Sequence, residues 1–267
     1  MSLAFLKLGG SLITDKKGDA ALRAETLAQA AREVRAALDA DPGLRLVVGH
    51  GSGSFGHVAA KRWRMLEGAV SWRAYAEVGA AAARLNRYVS DALLAAEIPA
   101  VTLQPSASAV TEDGRIVQMA LEPLAALLEA GGVPVVFGDV AIDRRRGYCI
   151  ISTETIFHYL ADHLQPERII LAGQVDGVFT QDPLVHPNAQ PLPHLTPAAW
   201  TEIEAGLQGA AGVDVTGGMA AKVRAMLDLV ETYPRLTVHL VSGLRPGAIE
   251  AALLGHSTRG TLLTQSG

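Results

Sequence analysis

Short, nearly continuous apolar runs alternate along the chain with segments in which apolar residues recur every three or four positions. The first pattern is typical of strands buried on both faces of a parallel sheet, and the second is typical of amphipathic helices. The sequence therefore predicts an α/β protein with a mostly parallel sheet covered by helices on both faces. The predicted strands are residues 3–8, 44–49, 100–103, 133–137, 168–172 and 237–241. The predicted helices are residues 26–38, 72–95, 122–129, 155–164, 218–232 and 248–253.

A smaller antiparallel element interrupts this alternation. Residues 140–143 and 148–151 flank a basic turn at 144–146, and residues 114–117 form a further short apolar piece. Two such runs on either side of a short turn predict a β-hairpin added to the main sheet, placed where it could overhang a ligand site. The length of 267 residues allows either one domain or two tight lobes, and no linker decides between them.

Charge and cysteine content exclude several classes of function. The formal net charge of -4 has the wrong sign for a protein whose main partner is nucleic acid or an anionic membrane, so any anion site must be local. The single cysteine, Cys149, cannot form an internal disulfide or a thiolate metal cage. The apolar run at residues 3–8 is too short for a signal peptide, and no longer run reads as a membrane span. We expect a cytoplasmic, soluble protein.

Three loops are rich in glycine and follow or precede predicted core elements. Gly9, Gly10 and Ser11 follow the first strand, residues 51–57 follow the second, and residues 214–219 lead into a helix that carries Lys222. Ligands of parallel α/β sheets bind beyond the carboxyl ends of the strands. Because glycine lets backbone N–H groups approach an anion closely, these loops predict phosphate cradles.

The cations beside these loops sharpen that prediction. Only five of the 23 basic residues are lysine, and Lys7, Lys16 and Lys222 flank glycine loops. A lysine offers a compact charge that can reach a phosphate oxygen. His57 follows Gly56 at a predicted helix start, from which its ring would face the anion in the loop. His50, at a strand end, could equally be a hydrogen-bonding residue of the core.

The usual nucleotide motifs do not explain the loops. Residues 51–56 match G-x-G-x-x-G, but the following strand, 100–103, does not end in the acidic residue of a dinucleotide-binding unit. The chain also has no G-x-x-x-x-G-K-[ST] sequence, so a kinase built on this chain must use another phosphate cradle.

With its motifs in this order, the chain resembles the amino acid kinase superfamily, and within it the isopentenyl phosphate kinases. The resemblance runs nearly end to end, and the histidine after Gly-Ser-Phe-Gly points to this branch, which it shares with fosfomycin-type kinases. The residues that carry it are Lys7 to Ser11 with Asp15 and Lys16, Gly53 to His57, Pro99 to Ser106, Gly138 to Val140, Gly147 to Ser152, Val175 to Asp182, and Asp214 to Lys222.

The resemblance implies one α/β/α sandwich per subunit of a homodimer, with an acceptor-binding lobe at about 1–165 and a nucleotide-binding lobe at about 166–267. It implies that ATP and Mg²⁺ serve to phosphorylate isopentenyl phosphate, and it carries site roles over by position. The catalytic residues would be Lys7, Lys16 and His57. The substrate would contact Gly51, Gly53, His57 and Thr153, and its tail Val78, Ile150 and Ile151. The nucleotide would contact Lys7, Gly9, Gly10, Ser11, Ser52, Asp176, Phe179, Asp182, Gly218 and Lys222. No residue is assigned to a metal.

One departure bears on catalysis. Where relatives read Gly-Asp-Asp, this chain has Thr153, Glu154 and Thr155, so the aspartate that holds the catalytic lysines is missing. We expect Glu154 to replace it, with threonine hydroxyls available to phosphate. Two alternatives stay open: a kinase for another small phosphate or phosphonate, such as a fosfomycin-type kinase, and a catalytically silent nucleotide-binding regulator. Aspartate kinase is disfavoured because no regulatory domain follows the kinase-like region.

Overall fold

The computed structural model describes residues 2–15, 21–63, 71–183, 185–209 and 217–266. The strands are β1 (Leu3–Leu8), β2 (Thr14–Asp15), β3 (Ala21–Leu22), β4 (Arg45–His50), β5 (Ala100–Thr102), β6 (Val110–Glu112), β7 (Arg115–Gln118), β8 (Val133–Phe137), β9 (Asp139–Asp143), β10 (Gly147–Ile151), β11 (Arg168–Gly173), β12 (Val178–Phe179), β13 (Pro191–Leu192), β14 (His194–Leu195), β15 (Thr237–Ser242) and β16 (Thr261–Leu263). The helices are α1 (Gly10–Ile13), α2 (Ala24–Ala40), α3 (Gly53–Arg62), α4 (Trp72–Ala95), α5 (Glu122–Glu129), α6 (Thr153–Leu164), α7 (Pro197–Gly209), α8 (Gly217–Thr232) and α9 (Ala248–Leu253).

An eight-stranded sheet forms the centre, in the order β14-β16-β15-β11-β1-β4-β8-β5. Every neighbouring pair is parallel except β15 with β16, where Leu240 lies opposite Thr261. The adjacent strands β11, β1 and β4 all end at the same edge of the sheet. Ligands of such sheets bind at this edge, so the loops after these three strands are placed to share one site.

Two apolar layers cover the sheet. On one face, Leu6 and Leu8 of β1 pack with helices α2, α4 and α9. On the other face, Phe5 packs with α6 and α8 and with the buried Trp200 of α7. Side chains alternate between the faces of a strand, so Lys7 lies on the α6 and α8 face, whereas His50 of β4 lies on the α4 face.

A four-stranded sheet, in the order β10-β9-β6-β7, packs beside helices α4 and α6. Strands β9 and β10 form an antiparallel hairpin in which Ile142 faces Tyr148. Asp143, near its turn, accepts hydrogen bonds from the amides of Gly114, Arg145 and Arg146. The hairpin is thereby tied to the turn between β6 and β7.

The predicted fold class is confirmed: the chain forms a three-layer α/β/α sandwich with a mostly parallel sheet and an added hairpin. All six predicted strands and all six predicted helices are present, with ends shifted by at most two residues. The sequence analysis missed strand β16, which lies between β14 and β15 and is antiparallel to β15, and the helix α7. Strand β16 has only three residues, too few for a periodic signal.

Candidate active site

The first two glycine loops meet at the carboxyl edge of β1 and β4. A Cβ atom added to Gly10 would lie 2.6 Å from the backbone nitrogen of Gly53, so the two backbones touch. Gly53 has a φ of +52°, and a Cβ there would lie 2.4 Å from the hydroxyl oxygen of Thr14. That hydroxyl donates to the carbonyl of Gly10 at 2.7 Å and accepts from the amide of Ser54 at 3.0 Å. Glycine is therefore required on both sides of this contact.

Lys7 forms a buried ion pair with Glu154 at the end of β1. Burial lowers the pKa of Lys7, and the nearby charge of Lys222 lowers it further, whereas the Glu154 carboxylate opposes both. For Glu154, burial works to raise the pKa, but the charge and hydrogen bond of Lys7 outweigh it and leave the pKa below its ordinary value. The structure therefore brings the side chains of Lys7, Glu154 and Lys222 into one electrostatic cluster.

The start of α6 explains why Glu154 can reach Lys7. Ser152 caps the helix, because its hydroxyl oxygen accepts a hydrogen bond from the amide of Thr155 at 3.0 Å. The hydroxyl groups of Ser152 and Thr155 are also hydrogen-bonded to each other, at 2.9 Å. Thr153 is buried, and its hydroxyl donates to the carbonyl of His50 at 2.6 Å. The expectation that threonine hydroxyls serve a phosphate is therefore corrected for Thr153, because that group is used inside the protein.

His57 lies at the mouth of a cavity of about 100 Å³ between α3, α4 and the β9–β10 hairpin. Ser52 and Gly138 supply its polar backbone edge. Its remaining walls are mostly apolar and come from Ala60, Val78, Ala82 and Ile150. The cavity thus joins an imidazole and a glycine loop to a small apolar pocket.

Sequence reasoning gave no role to Asp139, which also lines this cavity. Its carboxylate is buried and accepts the amides of Ser106 at 3.1 Å and Val140 at 2.9 Å. Burial raises the pKa of Asp139 above its ordinary value. The Gly138-Asp139-Val140 sequence carried part of the resemblance, but nothing in it indicated that Asp139 would line this cavity.

Ile151 is a second correction. It was predicted to line the pocket for the tail, but it is buried in the core on the α6 face. Neighbouring residues of a strand point to opposite faces, so Ile150 faces the cavity and Ile151 cannot.

Asp176 and Phe179 lie apart from this cluster. Both line another cavity, of about 830 Å³, whose walls include His239, His256 and Arg259. The carboxylate of Asp176 also forms an ion pair with Arg245. The structure therefore does not bring these two predicted nucleotide residues into the contacts that join Lys7, Glu154 and Lys222.

The remaining predicted residues fall into three groups. Gly9, Gly10, Ser11, Gly51, Gly53 and Ser52 line the loops at the shared edge, where Gly9 donates to the carbonyl of Ala172 at 2.8 Å. Gly218 lies in the first turn of α8, and Asp182 lies between β12 and β13. Lys16 lies outside the described residues, so its predicted role is not addressed by the fold.

Carboxylates and imidazoles do not gather into a metal cage in the described residues, where no three His, Cys, Asp or Glu side chains come together. None of the helices in the described ranges has the length and apolar character needed to cross a membrane.

Comparison with known proteins agrees with this geometry. A sequence profile described as Amino acid kinase family matches residues 2–242. The chain is 38% identical to the isopentenyl phosphate kinase of Methanothermobacter thermautotrophicus, over 98% of this chain and 99% of that protein. It is 33% identical to the isopentenyl phosphate kinase of Methanocaldococcus jannaschii, over 83% and 85% of the two chains.

A solved structure described as "X-ray structures of isopentenyl phosphate kinase" superposes with a TM-score of 0.84 at 34% identity, covering 98% of this chain and 100% of the other. The resemblance drawn from the sequence motifs is thereby confirmed. The chain belongs to the amino acid kinase family.

Proposed function

We propose that this protein is an ATP-dependent kinase that phosphorylates isopentenyl phosphate to isopentenyl diphosphate. The observation that carries the proposal is the cavity in which His57 and a glycine loop adjoin a small apolar pocket. This glycine loop touches the loop that follows Lys7. Similarity over nearly the whole chain to proteins named isopentenyl phosphate kinase supports the same conclusion.

Phosphoryl transfer to a phosphate must bring two anions together, and proteins achieve this mainly by alignment and by cations placed against the phosphate oxygens. We assign this task to Lys7 and Lys222, together with Lys16, as predicted from the sequence. The ion pair with Glu154 fixes the Lys7 ammonium at the carboxyl end of β1. Glu154 thus does for Lys7 what the missing aspartate does in relatives.

The acceptor phosphate would lie between His57 and the loop of Gly51 to Gly53. His57 stands on the second turn of α3, whose first amides belong to Gly53 and Ser54. The amino end of a helix carries partial positive charge, so it favours a phosphate there. The imidazole of His57, which lines the same cavity as the apolar residues, would add a hydrogen-bond donor for the phosphate.

The hydrocarbon tail would occupy the apolar walls formed by Val78 and Ile150. Burial contributes roughly 0.8 kcal/mol per CH₂ group, so five carbons would contribute about 4 kcal/mol. This separates a prenyl phosphate from inorganic phosphate, but a pocket of this kind discriminates weakly between isomers of equal size. We therefore expect dimethylallyl phosphate to be accepted as well, and a fifteen-carbon chain to be a poor substrate.

For the nucleotide, we retain the assignment of Gly9, Gly10 and Ser11, together with Lys7 and Lys222, to the phosphates. Ser52 and Gly218 are retained as further contacts of the nucleotide. Asp176, Phe179 and Asp182 remain predicted contacts of the nucleoside. Mg²⁺ would be bound by the nucleotide phosphates and would neutralise part of their charge.

We also propose that the chain is a single kinase domain whose two lobes meet near residue 165, and that it acts as a cytoplasmic homodimer. The continuous eight-stranded sheet, with strands from both lobes, supports one domain. Exposed Tyr88 and Leu94 on α4 and Val101 on the edge strand β5 offer apolar surface for a second copy. The lone Cys149 fits a reducing compartment.

The test is an ADP-release assay with ATP and Mg²⁺ over isopentenyl phosphate, dimethylallyl phosphate, fosfomycin, UMP and acetylglutamate. We expect the two five-carbon phosphates to give the highest kcat/KM, and His57→Gln to abolish most of that activity. A preference for fosfomycin would support the antibiotic-kinase alternative. ATP binding with no acceptor-dependent ADP release would indicate the silent regulator.

A further inference from the structure

A buried histidine lies directly beneath the loop to which we assign the acceptor phosphate. His50 is fully buried at the end of β4, and its ring stacks on that of Phe137 with centroids 5.4 Å apart. Its Nδ1 lies 3.1 Å from the carbonyl oxygen of Gly51, and its Nε2 lies 3.1 Å from the Oδ1 atom of Asn86. Both ring nitrogens therefore have hydrogen-bonding neighbours inside the protein.

The protonation of this ring follows from its surroundings. Burial, and to a lesser extent the charge of Lys7, lowers the pKa of His50 to about 4, so the ring is neutral near pH 7. A neutral imidazole has one N–H donor and one bare acceptor nitrogen. A carbonyl oxygen can only accept, so the contact with Gly51 is a hydrogen bond only if Nδ1 carries the proton.

The rest of the network can satisfy the bare Nε2. In the structure Asn86 directs Oδ1 at Nε2 and donates from Nδ2 to the hydroxyl of Thr102 at 2.8 Å, an arrangement that suits a protonated Nε2. The oxygen and nitrogen of a carboxamide are nearly identical in shape, so the two can be exchanged. A half-turn of the carboxamide keeps both contacts and points its NH₂ group at Nε2 and its oxygen at Thr102. Thr102 then donates to Asn86 and accepts from Ser90, whose hydroxyl lies 2.9 Å away. In this arrangement each group donates to the next one, from Ser90 through Thr102, Asn86 and His50 to the carbonyl of Gly51, and every donor has an acceptor.

We propose that His50 is a positioning residue for phosphoryl transfer: held by Asn86 and Thr102, its Nδ1–H fixes the carbonyl of Gly51 and thereby orients the acceptor-phosphate loop. The inference rests on the proposed function, because it assigns this loop to the acceptor. It concerns a residue that touches neither the substrate nor the nucleotide.

The geometry of the peptide bond links His50 to the cavity. The Gly51–Ser52 peptide is trans, so its C=O and N–H groups point in opposite directions. A carbonyl turned inward to His50 directs the N–H of Ser52 outward, and Ser52 lines the cavity that holds His57. The backbone of His50 is also held in place, because its carbonyl oxygen accepts a hydrogen bond from the amide of Gly138 at 3.0 Å. The histidine therefore joins the loop to the strand β8 edge and to α4.

The first experiment needs no catalysis. A two-bond ¹H–¹⁵N spectrum of the ¹⁵N-histidine-labelled protein distinguishes a protonated ring nitrogen from a bare one. We expect His50 in the Nδ1–H form, unchanged between pH 8 and about pH 5, and Asn86→Leu to shift its Nε2 signal. The Nε2–H form, or a titration near the ordinary histidine pKa, would overturn the inference without affecting the proposed function.

The second experiment separates positioning from general stability through kinetics. His50→Phe keeps the stacking on Phe137 but removes the donor, whereas His50→Asn places an amide N–H near the position of Nδ1. We expect His50→Phe to raise the KM for isopentenyl phosphate about tenfold or more, with the KM for ATP changed less than about twofold. His50→Asn should recover most of that loss.

A matched control isolates the network. Thr102→Val removes the hydroxyl that supports Asn86, and we expect it to raise the acceptor KM about threefold. Thr111→Val makes the same substitution at a buried threonine, whose hydroxyl donates to Asp143 in the small sheet, and should leave the acceptor KM unchanged. Equal effects of the two threonine variants, or equal loss of ATP and acceptor affinity in His50→Phe, would show a structural role only. If the wild-type protein releases no ADP with isopentenyl phosphate, the proposed function fails and the loop loses its assignment to the acceptor, whereas the spectroscopic result still decides whether Nδ1–H holds the carbonyl of Gly51.

Discussion

The ion pair between Lys7 and Glu154 gives the sharpest prediction. Glu154→Gln replaces the carboxylate with a neutral group of the same shape and leaves the Lys7 ammonium, whose residue is 7% exposed, without its partner. Removing one member of a buried pair typically costs about 3 to 5 kcal/mol. Lys7 can relieve part of this cost by losing its proton, because burial already lowers its pKa. We therefore expect the low end, about 3 kcal/mol, which for a chain of this size lowers Tm by about 6 to 12 °C.

The dependence on pH distinguishes this explanation from a simple loss of packing. A lysine whose pKa is lower in the folded state binds fewer protons there than in the unfolded chain, so rising pH favours the fold. Without Glu154 the pKa of Lys7 falls further. The Tm deficit of Glu154→Gln should therefore shrink as the pH rises above neutrality, while turnover, which needs the ammonium, declines over the same range.

The assay is differential scanning fluorimetry and steady-state turnover from pH 6 to 9, with two comparison variants. Glu33 is also a buried carboxylate, but it accepts the amide of Ile249 and forms no ion pair with a lysine of the described part of the chain, so the deficit of Glu33→Gln should not shrink as the pH rises. The double variant Lys7→Met with Glu154→Leu should recover stability without activity, because both charges are gone. A Glu154→Gln protein with wild-type Tm and turnover, or with a deficit independent of pH, would refute the reasoning.

Four further outcomes are expected. His57→Gln should lower turnover about 100- to 1000-fold while ATP binding, measured by calorimetry, stays unchanged. Gly53→Ala should lower Tm and raise the acceptor KM, since its φ of +52° and the Thr14 hydroxyl at 2.4 Å leave no room for a methyl group; wild-type kinetics would contradict the loop contact. Val78→Ala should raise kcat/KM for a ten-carbon prenyl phosphate relative to the five-carbon one, as measured in a substrate series. Asp143→Asn should cost about 1 to 3 kcal/mol at pH 7 in denaturant unfolding. Although burial opposes it, amide and hydroxyl donors hold the pKa of Asp143 well below its ordinary 3.8, so this difference should shrink as the pH falls below that value.

The apolar pattern predicted most of the fold because buried parallel strands and amphipathic helices carry strong periodic signals. The position of Lys7 at the end of a buried strand also followed from the sequence, as did the placement of two glycine loops at the carboxyl ends of strands. The side chain of Ile151 did not, because which face of β10 meets the cavity depends on the register of the hairpin. The Ala60 and Ala82 walls were missed as well, since only the packing of α3 on α4 brings these small residues together.

The polar network beneath the acceptor loop shows why a single histidine is hard to interpret from sequence. His50 could be predicted to lie at a strand end, but its partner Asn86 is 36 positions away on α4. Side chains on alternate strand residues share a face, so His50 belongs with Leu46 and Val48 on the α4 side. Its separation from Lys7 follows from the same rule, and a buried neutral role could have been argued from it.

The change from Gly-Asp-Asp to Thr-Glu-Thr is best understood as a relocation of charge. The carboxylate stands one residue earlier on α6 than the aspartate that the family resemblance leads us to expect, and a glutamate side chain is one CH₂ longer than an aspartate. That extra length lets Glu154 reach Lys7 from the first turn of α6. The threonines on either side bond within the protein, Thr153 to the carbonyl of His50 and Thr155 to Ser152. The site thus keeps one buried negative charge for its buried lysine, which the proposed cation cluster requires.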